Sequence, residues 1–531
     1  MRRYFLTLAL MTATLAASAQ NMYDAFSFSD VTYGGTARSI ALGNAMTAIG
    51  GDLGSLTLNP AGSAVNSYSQ FSITPNISVS SIKSKGEYGL TDETSSTHTR
   101  FNLYNTGFVL NFDNHRSSGL RNYAIGFVAS STGNYLGDIF ATGRNGYTSF
   151  MGAMAAGADG FTSATLNSSD AWYGSDAPWN QILGYQSGMI ATYGGRDDQY
   201  VAATEKVYSS GDIGLAGDLE QEFGRFTRGS RTDFLFNFGA NFSDILYVGG
   251  NLGLVAIDYS MDQYIKEEAV NPADFGITFD DGRTTNFTSA RHRYAYDAEG
   301  SGVYAKIGVI LKPFAGLRFG AAIQTPTAVS IRENYQMDGY TKFSESSLNA
   351  SAASPSDNEW EYRLTTPFRF NLGAAWTIGR WGFISADYER ANYGSMRFNV
   401  SGDFSNRSYF DDTNADIRDF YGHSDAFRFG VEIRPTESLA LRGGYAIETN
   451  PEMFENEAGY MGYYESGKKA LSFGIGYSSK GSFFSDFAFR TTSLPDLYTL
   501  PYADYINDTL SPEIHSTRRL NDFTVTIGWR F

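Results

Sequence analysis

Three adjacent residues near position 424 are the residue types of a hydrolase triad. His423, Ser424 and Asp425 could in principle supply a general base, a nucleophile and an orienting carboxylate. They lie in an alternating apolar and polar stretch that predicts a strand, and successive side chains of a strand point to opposite faces. Neither neighbour could therefore activate the Ser424 hydroxyl. We predict no catalytic site here, and no enzymatic activity for the chain.

A second motif, just upstream, resembles the start of a calcium-binding loop. Asp412, Asn414 and Asp416 match the first three ligand positions, but Ile417 stands where the turn needs glycine and His423 replaces the bidentate glutamate. The five histidines show no ligand spacing, and the chain has no cysteine. We therefore predict a solvated acidic loop at this motif, and neither a metal site nor a cofactor.

Charge and the first residues limit the class of protein. The net charge of −16 argues against nucleic-acid binding, because phosphates require a basic surface. Arg2 and Arg3, an apolar run and Ala17-Ser18-Ala19 predict a signal peptide over residues 1–19. No later segment approaches the ~18 uninterrupted apolar residues of a membrane helix. The exported chain is therefore either soluble or crosses a membrane as a closed sheet.

Alternation with a period of two residues dominates the remaining sequence. At the C-terminus Phe523, Val525, Ile527, Trp529 and Phe531 share one face, and the intervening polar residues and glycine share the other. About fourteen segments show this pattern. Either a soluble sandwich or a membrane barrel could produce it.

The lengths of the connections distinguish these two architectures. Connections of one to five residues alternate strictly with long ones. Outer-membrane barrels have this asymmetry, with short periplasmic turns and long external loops. We predict an all-β membrane protein, a barrel of about 14 antiparallel strands over residues 67–531 in the bacterial outer membrane. The predicted long connections are 83–96, 132–229, 265–288, 337–357, 399–422, 450–468 and 495–514.

The longest connection, residues 132–229, has a composition that favours folded structure. It contains a stretch of small residues, Ser149 to Ala158, and aromatic residues at Trp172, Tyr173 and Trp179. Loops longer than ~15 residues are usually functional or disordered. We expect a partly helical cap over the outer mouth; a mobile, solvated loop is the alternative.

Residues 20–66 precede the first strand and do not alternate. Helical spacing runs from Thr36 to Ile49 and ends at Gly50. Asn59 must be extended because proline follows it, and Pro60 favours a new helical turn. A barrel of fourteen strands leaves a lumen that side chains alone do not fill. We predict that this segment is a plug inside the barrel, a periplasmic tail being the alternative.

A small helical plug ending in Asn-Pro-Ala, about fourteen strands and a C-terminal phenylalanine resemble the outer-membrane long-chain fatty-acid and hydrocarbon transporter family (FadL-like). The similarity is carried by Gly35–Ser39, Gly51–Ser55, Asn59–Gly62 and Gly316–Thr327. The resemblance implies passive uptake of a hydrophobic small molecule by a monomer surrounded by outer-membrane lipids. Cargo in this family reaches an apolar pocket in the lumen and leaves sideways through a gap in the wall.

The resemblance also implies roles for particular residues. Asn59, Pro60 and Ala61 would gate the route as part of the plug. The mature N-terminus would reach the pocket, which makes its aromatic residues candidates for substrate binding. Leu235 and Phe484 are added because both are apolar and face inward. The tentative substrate-binding residues are Tyr23, Phe26, Phe28, Leu235 and Phe484.

Two features of the sequence bear on the comparison with this family, the position of the longest loop and the defects in strands two and three. The longest loop follows the third strand, earlier than the cargo-collecting loops that we expect in the family. Strand two changes phase across Asn105–Gly107, and strand three has a plausible break at Ser130–Gly133. We expect the wall gap there, an ordinary β-bulge being the alternative.

Two other functions are weighed against transport of hydrophobic cargo. Inward-facing charges would also suit a diffusion porin for small polar solutes, although a plug would obstruct it. A surface-binding or adhesion barrel would use the 132–229 loop. The inward charges are Asp233, Arg369, Arg428, Glu432, Asp486 and Arg490.

Overall fold

The computed structural model describes residues 21–279, 282–356, 358–401, 408–455, 461–502 and 512–531. The expected signal peptide lies outside these residues. Fourteen antiparallel strands form one closed sheet, in which each strand pairs with its neighbours in sequence and the last strand pairs with the first, from Gln70 opposite Arg530 to Gly86 opposite Ile514. The predicted fold class is confirmed.

Four strands of the described chain are interrupted, and each is treated below as one strand. The barrel strands are β1 Gln70–Gly86, β2 Thr94–Asp113, β3 Leu120–Asn134 continued by Gly137–Asn145, β4 Leu219–Phe242, β5 Leu246–Ala269, β6 Thr284–Phe314, β7 Leu317–Gln324 continued by Ala328–Phe343, β8 Trp360–Thr365 continued by Arg369–Ile378, β9 Gly382–Asn392 continued by Arg397–Val400, β10 His423–Ile433, β11 Leu439–Glu448, β12 Lys468–Ser478, β13 Phe483–Ser493 and β14 Ile514–Arg530.

The outer face of the barrel is an apolar belt. On β4, Phe236 and Phe238 point outward and are 50% and 53% exposed, whereas Leu235, next to Phe236, is fully buried. On β5 the outward residues are apolar as far as Ala256 and polar from Asp258 onward. A closed sheet with such a belt is the architecture of outer-membrane proteins, and β5 continues beyond the membrane on the long-loop side. Within the described parts of the chain, no helix is long and apolar enough to cross a membrane.

Short helical elements precede the barrel. Helix α1 (Met22–Ser29) begins at Asn21, whose side chain accepts hydrogen bonds from the Tyr23 and Asp24 amides. This helix was not predicted. The predicted Thr36–Ile49 helix is wrong in length, because Gly43 and Asn44 adopt left-handed φ angles of 63° and 60° and end α2 early. The elements after α1 are α2 Ala37–Ala41 and the 3₁₀ turns Leu53–Thr57 and Pro60–Ala64.

Residues 146–218 fold into a cap, which confirms the prediction of partial helicity. The predicted bounds 132–229 are wrong, because β3 continues to Asn145 and β4 already begins at Leu219. Its apolar core includes Phe150, Met151, Met154, Ile182 and Met189, all buried. The helices are α3 Phe150–Ala158, α4 Ser163–Leu166, α5 Ala171–Gly174 and α6 Trp179–Gln186, and a later loop holds α7 Asp411–Phe420. Two hairpins complete the cap, Ile190–Thr192 with Tyr200–Ala202 and Glu205–Val207 with Ile213–Leu215.

The other loops contain short elements. The strands are Gly276–Thr278, Ala350–Ala353, Met453–Glu455, Met461–Tyr463 and Leu497–Thr499, and the 3₁₀ turns are Pro272–Asp274, Ser346–Leu348 and Tyr393–Ser395.

Candidate transport chamber, plug and wall gap

The segment from α2 to Val65, here called the plug, lies directly against glycines of the barrel wall. A Cβ atom added at Gly249 would stand 2.5 Å from the Ala61 nitrogen, and one at Gly308 would stand 2.0 Å from Asn59 Oδ1. Only glycine permits so close an approach of the plug to the backbone of the wall. The plug therefore fits a belt of lumen-facing glycines, which also includes Gly239, Gly320, Gly373, Gly430, Gly444 and Gly474.

Polar side chains of the wall bind the carbonyl groups of the plug. Lys306 Nζ donates to the Thr57 carbonyl at 2.6 Å, and Asn251 Nδ2 donates to the Leu56 carbonyl at 2.8 Å. Buried carbonyls need such partners, because helical turns this short leave most of theirs unpaired. Further bonds run from Arg318 to Ile49, from Asn237 to Pro60 and from Asn122 to Ala64.

The three residues expected to gate the channel are in the centre of this interface. Asn59 is fully buried; its amide nitrogen donates to the Thr47 carbonyl at 2.7 Å and to the Val309 carbonyl at 3.0 Å. Its Oδ1 accepts from the Ala61 nitrogen, so the side chain also caps the turn that begins at Pro60. Asn59 thus joins two parts of the plug to strand β6.

Above the plug, α1 lies in an aromatic chamber formed by the wall. The Phe26 ring stacks on Tyr421 at 5.2 Å and meets Tyr393 edge-on at 5.1 Å. Phe28 packs edge-on against Tyr259 at 5.7 Å. Such pairs contribute about 0.5–1.5 kcal/mol each beyond the burial of their area. The same cluster contains Tyr294, Tyr296, Tyr335, Tyr362, Phe398 and Phe410.

Cations hold the C-terminal end of α1. Arg231 donates to the Phe28 carbonyl at 3.2 Å, and Arg369 donates to the Ser29 carbonyl at 2.8 Å. These contacts place positive charge at the helix end where the backbone dipole is negative. They fix the exit of α1, whereas its remaining contacts in the chamber are mainly between side chains.

A buried ionic layer separates the chamber from the plug. Glu389 accepts from Arg369 at 3.1 Å and from Arg428 at 2.9 Å, and the Tyr33 hydroxyl also reaches it at 3.3 Å. Removing one partner of such a group would leave an uncompensated buried charge. The predicted charged network in the lumen is confirmed. An apolar molecule could pass straight down only by disrupting this layer and the plug.

The wall is split between β2 and β3. Their backbone pairing runs from Asp113 opposite Asn122 to Asn105 opposite Ser130, and in the described chain it goes no further. Tyr104 is an extra residue in the β1–β2 register, so the strand changes phase there, one residue before the predicted Asn105.

The edge of β3 that β2 leaves unpaired bonds to the chain that leads from α1 to α2. The register of β3 shifts between Ser131 and Gly133, at the predicted break. The Ser131 carbonyl accepts from the Gly34 nitrogen and the Thr132 carbonyl from the Thr32 nitrogen, both at 2.9 Å. Farther out, side-chain bonds cross the split, including Ser96 Oγ to the Asp138 carbonyl at 2.5 Å.

The split and the chamber share one aromatic side chain. Tyr135 follows the bulge of β3, and its ring meets Phe28 edge-on at 6.4 Å and Tyr259 at 5.4 Å. The same ring therefore borders the wall gap and contacts α1. The strand defects expected from the sequence thus lie beside the aromatic cluster.

The structure brings together some of the tentative substrate-binding residues. Phe26, Phe28 and Leu235 belong to one cluster, and Tyr23 on the same helix is 44% exposed. Phe484 lies at the opposite end of the lumen, where the Arg530 guanidinium covers its ring at 4.6 Å. Sequence reasoning missed the wall tyrosines of the chamber. Their recurrence at alternate positions, as at 294 and 296, is the signal that could have revealed them.

The two motifs that resembled chemical sites have structural roles. The Ser424 hydroxyl donates to the Thr449 carbonyl at 2.7 Å, whereas His423 contacts Tyr463. The prediction of a solvated loop around Asp412 is wrong: Asp412, Asn414 and Asp416 lie in α7, where the Asn414 side chain bonds both backbone groups of Phe398. No group of potential metal ligands occurs among the residues that the structure describes.

Comparison with solved structures identifies the fold. The P. putida toluene transporter TodX aligns with a TM-score of 0.52 and 14% identity, covering 94% of this chain and 99% of that one. A Pseudomonas aeruginosa FadL homologue aligns with a TM-score of 0.50 and 13% identity, covering 94% and 98%. The chain has the fold of these transporters. No family model matches it, and no curated protein matches it significantly.

The predicted resemblance to FadL-like transporters is therefore confirmed for the fold, over nearly the whole chain. A deltaS2 mutant of TodX, described as a monoaromatic hydrocarbon channel, aligns similarly, with a TM-score of 0.52, 12% identity and coverage of 94% and 99%. At such identities the alignment does not transfer binding residues. The cargo must be argued from the chamber itself.

Proposed function

We propose that this chain is a passive outer-membrane channel for hydrophobic small molecules, with long-chain fatty acids among its cargo. Cargo enters from the cap side, occupies the aromatic chamber and leaves through the gap between β2 and β3. The observation that carries the proposal is Tyr135, which borders the split wall and packs against Phe28 inside the chamber.

The lumen favours this route over a polar one. The chamber is lined by aromatic rings, and burying the apolar surface of a cargo molecule against them is favourable. Below it, the ionic layer around Glu389 and the bonded plug obstruct free diffusion through the lumen. These features support a hydrophobic channel rather than a diffusion porin, which needs a continuous aqueous lumen.

The plug is proposed as the gate, with Asn59, Pro60 and Ala61 holding its closed position. Asn59→Ala removes two hydrogen bonds to buried carbonyls, and each orphaned carbonyl costs about 1–3 kcal/mol. Because the closed plug is then held less firmly, we expect uptake of a long-chain fatty acid to rise, while the barrel still migrates as a folded species on unheated gels. Asn114→Ala, in an exposed turn, serves as the control. Unchanged uptake would remove the gating role.

Extraction of the purified protein tests the transport proposal itself. Protein prepared in a non-ionic detergent should carry fatty acids or other apolar molecules that mass spectrometry identifies. A protein without such molecules that conducts ions steadily in planar bilayers would instead be a porin. Loss of partner binding on deletion of the cap, with uptake intact, would favour the adhesion function.

A further inference from the structure

The gap in the barrel wall has two borders along β2. The backbone pairing of β2 with β3 ends at Asn105, opposite Ser130, which forms the border nearer the plug. At the border nearer the cap, the Arg100 side chain crosses the split and donates from Nη1 to the Gly229 carbonyl of β4 at 2.5 Å. The gap is therefore a window, and residues 101–104 of β2 form one of its edges.

Arg100 lies beside the ring that joins this window to the chamber. The Gly229 carbonyl also accepts from the Tyr135 nitrogen at 3.3 Å, so Arg100 and Tyr135 share one acceptor. The Tyr135 ring in turn packs against Phe28 inside the chamber. Cargo that leaves the chamber past Tyr135 therefore passes close to the Arg100 guanidinium.

The wall does not neutralise the charge of Arg100. Over the described stretches of the chain, no carboxylate lies within ion-pair distance of its guanidinium, and the Gly229 carbonyl is a neutral acceptor. Asp138, farther out along the split, is instead bound by Arg228 and lies 3.4 Å from His98 Nδ1. A guanidinium has five N–H donors, and the bond to Gly229 uses one of them. The others can bind an incoming anion, since the side chain is only half-buried.

We propose that the Arg100–Gly229 hydrogen bond is a latch on the window, and that the headgroup of anionic cargo opens it. This inference rests on the proposed function, because it concerns cargo that leaves through the same gap. A carboxylate binds a guanidinium more strongly than a neutral carbonyl does, and it can accept two hydrogen bonds at once. The carboxylate of a fatty acid can therefore take the Arg100 guanidinium from Gly229. A neutral alcohol gains nothing by this exchange, because its bond to Arg100 would be no stronger than the bond that it replaces.

Release of Arg100 would widen the window, because little else joins its two edges. Between Arg100 and Asn105, β2 makes no backbone pair with β3 in the described chain. Beyond Arg100 the split is bridged by side chains, such as the Ser96 hydroxyl, which donates to the Asp138 carbonyl at 2.5 Å. An anionic amphiphile would thus open its own exit, and a neutral one would meet a closed latch.

A pair of cargo molecules with the same alkyl chain, palmitic acid and hexadecanol, tests the latch. Uptake of each radiolabelled molecule is measured in a bacterial strain that lacks a fatty-acid transporter of its own and expresses the full chain. We expect the parent chain to take up the acid faster than the alcohol. Arg100→Gln should lower the ratio of acid to alcohol uptake about tenfold, the difference between a charge-assisted and a neutral hydrogen bond.

Two further variants serve as controls for this measurement. Arg100→Lys keeps the charge but not the planar fork, so it should retain part of the preference for the acid and guards against a folding defect. Arg116→Gln, in an exposed turn outside the window, should behave as the parent chain does.

The outcomes separate the latch from the transport function itself. If the parent chain takes up neither molecule, the proposed function fails. If it takes up both and Arg100→Gln leaves their ratio unchanged, transport stands and the latch is overturned. An equal loss of both molecules in Arg100→Gln would show that Arg100 only holds the wall together, and this result would also overturn the proposal.

Discussion

The lower and upper halves of the lumen are filled in different ways. Below, the plug backbone touches wall glycines and receives hydrogen bonds from wall side chains such as Lys306 and Asn251. Above, α1 is held chiefly by ring contacts of Phe26 and Phe28, with cations at its end. Both halves are packed, but the plug is fixed through its backbone along its length, whereas α1 is fixed in this way mainly at its C-terminal end.

This difference indicates which half yields to cargo. Displacing the plug would orphan many buried carbonyls, each costing about 1–3 kcal/mol. Displacing α1 exchanges its aromatic contacts for those of the cargo, and each contact is worth about 0.5–1.5 kcal/mol. We therefore expect α1 to move readily, and the plug to move only when its bonds to the wall are weakened.

The largest expected effect comes from filling the glycine belt. Gly249→Val would place side-chain atoms where Ala61 now lies, whereas Gly250→Val on the same strand would meet only the Lys306 carbonyl, 3.8 Å from its Cβ. Overpacking costs about 1–3 kcal/mol, and more where backbone must move. We expect Gly249→Val to unseat the plug and to give steady conductance in planar bilayers, and Gly250→Val to remain closed. Equal conductance in both variants would mean that the belt does not fix the plug.

A smaller effect is expected in the upper half. Phe26→Ala removes the stacking on Tyr421 and the edge contact with Tyr393, so α1 should compete less well with cargo. The apparent affinity for cargo rises with the fraction of protein in which α1 has left the chamber. Losing about 1–1.5 kcal/mol of aromatic contacts would raise this affinity by up to about tenfold. Binding of a fluorescent fatty acid measures this change, and Tyr147→Ala in the exposed cap serves as the control. Weaker binding by Phe26→Ala would show that Phe26 contacts cargo instead of replacing it.

The smallest expected effect is the pH dependence of the cap. Glu267, on β5 beyond the membrane, accepts from the Ser149 hydroxyl at 2.6 Å and from the Phe150 nitrogen at 2.8 Å, at the start of α3. Burial raises the pKa of Glu267 from 4.5 to about 7. The folded cap thus binds more protons than the unfolded one in this window. Its stability contribution is complete below pH 4.5 and is lost as the pH rises through 7.

His292, on the adjacent strand, has the opposite dependence. Burial lowers its pKa from 6.5 to about 4, so its contribution is complete above pH 6.5 and is lost as the pH falls through 4. Glu267→Gln should leave a cap whose stability only rises with pH between 4 and 6.5, by at most about 1.4 kcal/mol per pH unit. His292→Gln should leave a cap whose stability only falls with pH between 4.5 and 7, where Glu267 still titrates.

A single introduced thiol can measure this difference, since the chain has no cysteine. In an Ala155→Cys background, where the site is buried in α3, the labelling rate reports opening of the cap. Dividing the labelling rate of each variant by that of the parent at the same pH removes the effect of the titration of the thiol itself. Parallel pH profiles for all three chains would exclude both groups as determinants of cap stability.

Much of the barrel was predictable, and the reasons are local. Alternation identified all fourteen strands, and the phase change of β2 was placed within one residue of Tyr104. Helix α1 was missed although Asn21 and Asp24 form a capping box, because its eight residues lack a clear apolar stripe. Alternation places Gly249 inward and Gly250 outward, but no local pattern shows which inward glycines the plug contacts, so the glycine belt could not be predicted from the sequence.

The sequence by itself determined the barrel and the positions of its strand defects. Each of these depends on which way a side chain points relative to its immediate neighbours, and a period of two residues records that directly. Only the tertiary structure decided which contacts hold the plug and α1 in the lumen and how firmly, because those contacts join distant parts of the chain. Asn59 bonds the carbonyl of Val309, 250 positions away, and no local pattern in the sequence specifies such a pairing.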